Sequence, residues 1–161
     1  RVLFRSQVLR SLLFNGQSSR MYKRLVDKDE LAVSVQSSYG FSIDPTLFEI
    51  TVQPKAGVKP EAAESAIYDE LDRLKNEPVS AGELEKAKNI LLMRFYQSQK
   101  TIAGKADALG RYDVFLGDYR KMFAVSADYA KVSAADIQRV ARKYFSERNR
   151  TVATLIPETN P

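Results

Sequence analysis

The spacing of apolar residues changes twice along this chain, and that change limits the folds open to it. Residues 32–40 alternate, with Val33, Val35 and Tyr39 on one side and Ser34, Gln36 and Ser38 on the other. Residues 46–53 alternate again, placing Phe48, Ile50 and Val52 against Glu49, Thr51 and Gln53. A period of two marks a half-buried strand, and Asp44-Pro45 supplies a turn between the two runs. The pair predicts an antiparallel hairpin set inside a helical chain.

Helical spacing governs most of the rest. Residues 1–14 carry Val2, Leu3, Leu9, Leu12 and Leu13, and Asn15-Gly16 ends that helix because both residues tolerate a left-handed backbone. Ser18 or Ser19 caps a second helix to about Lys28, with Met21, Tyr22, Leu25 and Val26 as its apolar stripe. Pro60 opens a helix over 60–76, with Ala63, Ile67, Leu71 and Leu74 inward. Ser80 and Glu83 form a capping box for a helix to about Gln99, with Leu84, Ala87, Leu91 and Phe95 inward. Further helices are predicted over 101–117, 119–129 and from Ser133, where Asp136 completes a second capping box. Residues 149–156 read as a last strand ended by Pro157. Helices do not alternate one-for-one with strands, which argues against a doubly wound parallel sheet. The reading is α+β, with helices layered on an antiparallel or mixed sheet.

The 161 residues suit one domain, long enough to bury roughly 70% of its unfolded surface. Residues 1–161 are read as a single domain, and the opening Arg-Val-Leu-Phe as the middle of a helix in a piece of a longer chain. No apolar run approaches a membrane span. The chain has no cysteine and no histidine. That removes thiolate nucleophiles, disulfides, Ser-His-Asp triads and His- or Cys-ligated metals. The net charge of +5 raises a basic nucleic-acid module as a remote reading, but the charges are interspersed and no nucleic-acid partner is expected.

Single motifs add little. The pairs Glu61/Glu64, Glu83/Glu85 and Asp69/Asp72 read as solvent-facing acids rather than a catalytic dyad. Gly16-Gln-Ser-Ser lacks the spacing and lysine of a phosphate loop. Asn149-Arg-Thr151 fits the glycosylation sequon but opens a predicted strand. Tyr112, Phe115, Tyr119 and Phe123 recur at three- and four-residue spacing and read as core packing.

Four stretches together resemble the pitrilysin/insulinase zinc peptidases. They are Leu13-Phe-Asn-Gly-Gln-Ser-Ser-Arg-Met-Tyr-Lys-Arg-Leu25 leading to Glu30-Leu-Ala-Val-Ser-Val35, then Pro78-Val-Ser-Ala-Gly-Glu-Leu-Glu-Lys-Ala-Lys88. Val132-Ser-Ala-Ala-Asp-Ile-Gln-Arg-Val-Ala-Arg-Lys-Tyr-Phe145 and Asn149-Arg-Thr-Val152 follow in the family's order. The resemblance implies a half-domain of a clamshell, of the C-terminal type that lacks the His-x-x-Glu-His zinc motif. It implies no cofactor in this chain and zinc in a partner half. That half would lie in the same polypeptide or in a separate subunit, as a homo- or heterodimer, with peptide as substrate. It also implies a bacterial periplasm or cell-envelope location.

Active relatives carry an Arg and a Tyr seven residues apart that contact substrate backbone. The matching substrate-binding positions here are Val26 and Val33, which hold neither polar group. Arg111-Tyr112 has the wrong spacing to replace them and reads as a surface Arg beside a half-buried Tyr. The function implied is the non-catalytic half of a zinc metallopeptidase, with a purely structural subunit of the same superfamily as the second reading.

Overall fold

The protein is described from a computed structural model over residues 2–40 and 42–156. Arg1, the Val2 side chain and Pro157 lie outside the described residues. The first helix, α1 (Val2–Phe14), sets the architecture. None of its described side chains is exposed. A helix with no exposed side chain must be covered on every side. Four helices and one strand do this: α2 (Arg20–Tyr22), α4 (Ala81–Ser98), α6 (Val125–Ala130), α7 (Ala134–Tyr144) and β1 (Ala32–Ser38). Val8, Leu9, Leu12 and Leu13 are fully or almost fully buried. Each such side chain is worth about 1.5–3 kcal/mol relative to exposure. Two polar groups that enter this core are satisfied there: Ser11 donates to the Ala87 carbonyl at 3.0 Å, and the Tyr129 hydroxyl donates to Gln7 at 2.7 Å.

The helical boundaries follow their caps. Gly16 takes a left-handed φ of 83° after α1. Helix α3 (Pro60–Asn76) begins on its proline. The two capping boxes form as the sequence predicts, at Ser80/Glu83 for α4 and Ser133/Asp136 for α7. Ser19 stands at the start of α2 but makes no side-chain cap bond. The predicted second helix is a composite: after one turn it widens to a π-turn over Lys23–Lys28. The predicted helix over 119–129 is likewise divided, into a 3-10 segment, Tyr119–Ala124, followed by α6. Together with α5 (Ile102–Leu116), that 3-10 segment builds a second small core of Ala108, Tyr112 and Met122, closed by Phe95 and Leu116.

The fold is α+β, as the sequence indicates, and its hairpin is where the alternation places it. Strand β1 pairs antiparallel with β2 (Glu49–Pro54), with Val35 opposite Val52 and Ser37 opposite Ile50. Phe48, leading into β2, packs its ring on Phe14 and Phe145 at 6.1 and 5.2 Å. Two expectations are corrected. Val33 does not share a face with Val35: Ala32 lies opposite Pro54 and Ser34 opposite Gln53, so Val33 is a bulged extra residue, 57% exposed. A bulge turns the residues before it out of strict alternation.

The predicted strand at 149–156 is also absent. Glu147–Asn149 is a 3-10 turn, and 151–156 pairs with no strand among the described residues. Alternation alone does not make a strand; a ladder partner is required. Arg150 instead stacks over Tyr68 of α3, 3.9 Å from the ring centre.

Candidate functional site

Three departures from regular backbone fall within a dozen residues, between Lys23 and Ser34. The first is the π-turn, closed by an Asp29 N–H bond to the Arg24 carbonyl at 3.0 Å and braced by the Arg24–Asp29 ion pair at 2.7 Å. The second is Glu30, the one non-glycine among the described residues with a left-handed φ, 51°. The third is the bulge at Val33. Such irregularities re-aim side chains, and proteins keep them where direction matters. Here they set the surroundings of Val26 and Val33. Val26, in the π-turn, is half-buried against the main core, while Val33 stands on the outward sheet face. That face also carries Ser34, Gln36, Ser38, Glu49, Thr51 and Gln53, so it is polar with one carboxylate.

Beside the π-turn lies a shallow depression lined by Arg20, Lys23, Arg24, Lys28, Glu70, Arg73 and Glu83. Arg20 spans it. Its Nε and one terminal nitrogen donate to the two Glu83 oxygens, each at 3.0 Å, and its other nitrogen reaches Glu70 at 3.3 Å. Glu70 is only 3% exposed and also receives Arg73 at 3.1 Å. Bidentate charge-assisted bonds of this kind are the strong ones. The Arg20 hydrogen bonds, with help from Ser80, hold the Glu83 carboxyl down at about 2 despite its partial burial. This clasp ties α2, α3 and α4 together. Its carboxylates are committed as acceptors, a structural rather than a proton-transfer role.

Glu83 is therefore not the free solvent-facing acid that its pairing with Glu85 suggests. Sequence reading also passed over Glu70, although it sits between Ile67 and Leu74 on the buried stripe of α3, where a carboxylate needs a cation. Arg111 is exposed and pairs with Asp107 at 2.7 Å, while Tyr112 is buried, its hydroxyl pushed up to about 12 by burial and by Asp128. Tyr119 and Phe123 do not join the core: Phe123 is 75% exposed. Among the described residues no group of three or more His, Cys, Asp or Glu could hold a metal ion. With no histidine or cysteine anywhere in the chain, the residues present do not fit a zinc ion.

The chain is thus an α+β domain with a hairpin packed against a buried helix and no metal donor set among the described residues. Residues 3–91, more than half of the chain, match the peptidase M16 inactive domain, and the chain belongs to that family. Over 154 residues it is 31% identical to the zinc protease PqqE of Helicobacter pylori, covering 92% of this chain and 33% of that protein. It is 26% identical to an uncharacterized zinc protease of Rickettsia bellii, covering 89% of this chain and 34% of the relative. The chain thus spans about a third of the length of these curated relatives. Among solved structures, the inactive peptidase domain of a proposed zinc protease from Bordetella parapertussis superposes with a TM-score of 0.84. That match is 26% identical and covers 99% of this chain and 86% of that one. A protease from Helicobacter pylori superposes equally well, with a TM-score of 0.84 over 92% of this chain and 35% of that one, at 24% identity.

Proposed function

We propose that this domain is the non-catalytic half of a zinc metallopeptidase, forming a wall around peptide substrate beside a zinc-bearing half. The observation that carries the reading is the match to the inactive peptidase domain. The chemistry of the chain agrees with it. Its acids in the described depression are bound to arginines, and it lacks every usual zinc donor except carboxylates. The polar sheet face and the outer edges of β1 and β2, which no other strand pairs among the described residues, offer main-chain groups to an extended peptide. Val26 and Val33 offer no side-chain donor at the positions where active relatives hold Arg and Tyr. Any stabilisation of developing charge must therefore come from the other half. A donor of that kind is worth on the order of 10²–10³ in rate.

A structural subunit of the same superfamily is the second reading, favoured by those two valines. The two are separated by assaying the chain alone and with the zinc-bearing part of the protein. Chelator-sensitive peptide hydrolysis is expected only in the combination. Stoichiometric zinc or hydrolysis in the chain alone would overturn the proposal. Inactivity of the combination, with zinc bound, would favour the structural reading. Restoring Arg at position 26 and Tyr at position 33 is expected to raise the rate of the combination.

A further inference from the structure

The helix α5 has two apolar faces, and the described structure covers one of them. Ala108 and Tyr112 are buried on the inner face, against Met122 and Phe95. At 100° per residue, Ala103, Ala106, Gly110 and Val114 fall on the opposite side, with Ile102 at its edge and the charged, exposed Asp113 on that same edge at the C-terminal end. All five apolar positions are exposed, Ile102 at 89% and Val114 at 65%. Beyond its loops, the helix leans mainly on the neighbouring 3-10 segment. A helix apolar on both sides belongs between two layers. No second layer covers that side among the described residues, and the relatives have about twice as much chain again as this segment spans.

We infer that the outer face of α5 is a docking surface for the remaining chain of the longer polypeptide. The inference rests on the reading above, in which that remainder holds the zinc-bearing half. The surface it needs is apolar at its centre. It should be acidic towards the Ile102 end, where Lys100 and Lys105 are exposed and make no ion pair among the described residues. Burying two branched side chains together with the Ala103–Ala106–Gly110 strip leaves little polar backbone to satisfy, since helix α5 bonds its own.

The absence of cysteine makes the test clean. Single cysteines are placed by Ile102→Cys, Val114→Cys and, as a control on exposed α3, Glu61→Cys. Each is put in the 161-residue chain and in the longer polypeptide, and maleimide labelling of each peptide is timed by mass spectrometry. In the short chain all three should label at comparable rates. In the longer protein positions 102 and 114 should slow by about tenfold or more while position 61 does not, as expected when a site opens only transiently.

Equal labelling at 102 and 114 in both proteins overturns the inference. Protection in the short chain that grows with its concentration also overturns it, because a second copy then covers the face. Amide exchange over residues 102–116 in the unsubstituted proteins gives the same comparison should a substitution disturb folding. Zinc is measured in parallel. Protection without zinc would sustain the docking surface and sink the functional reading; zinc without protection would do the reverse.

Discussion

At the scale of single residues, the molecule is held by charges placed where the helices meet. Glu83 is at once the capping acid of α4 and the bidentate partner of Arg20. Its carboxyl titrates near 2 in the folded protein, below its unfolded value near 4.5. Its stabilising contribution is therefore complete above pH 4.5 and is lost as the pH falls towards 2. Glu83→Gln should lower stability at pH 7 by about 1–2 kcal/mol, discounted for its partial exposure. Urea titrations of both proteins should converge as the pH drops through that window.

Glu30 makes the opposite case. Its left-handed backbone is strained for any residue with a Cβ, and its side chain makes an exposed 3.4 Å ion pair with Lys55. Glu30→Gly should raise stability by about 0.5–1 kcal/mol, read as a shift in the urea midpoint at constant slope. The capping boxes and the Gly16 turn were legible because cap chemistry is local. The Arg20–Glu70 contact joins residues 50 positions apart, and nothing in local spacing announces it.

At the scale of elements, sequence reading located every described α-helix and the hairpin but misjudged what their neighbours do to them. Alternation placed Phe48, Ile50 and Val52 on the inner face, where the structure has them. It failed at Val33, because a bulge is a property of the ladder between strands rather than of one strand. The two valines give a direct test. Val35→Thr buries a hydroxyl and should cost about 1–3 kcal/mol. Val33→Thr should change stability by less than about 0.5 kcal/mol, as surface substitutions do. Equal costs would place the two side chains on one face after all. The run at 149–156 failed for the related reason that no partner strand lies beside it among the described residues. The π-turn escaped because helical periodicity blurs over so short a stretch, while its effect, half-burying Val26, bears on the candidate site.

At the scale of the whole molecule, one helix is the hub. Removing residues 133–156, and with them α7, should strip α1 of a whole side, along with the Ile137, Val140 and Ala141 core. The truncated chain is expected to keep helical circular dichroism, lose cooperative unfolding and bind a hydrophobic dye. Retained cooperativity would mean that α7 is not part of the central core. The same arrangement bears on how the protein is made. Within this segment the hub helix is synthesised ahead of its covers, and Gln7 meets its partner Tyr129 only 122 residues later. At about 5–20 residues per second, α1 waits roughly 6–24 s for this last part of its cover, with apolar side chains still open to water. Nascent-chain chaperones thus have a long interval in which to hold it.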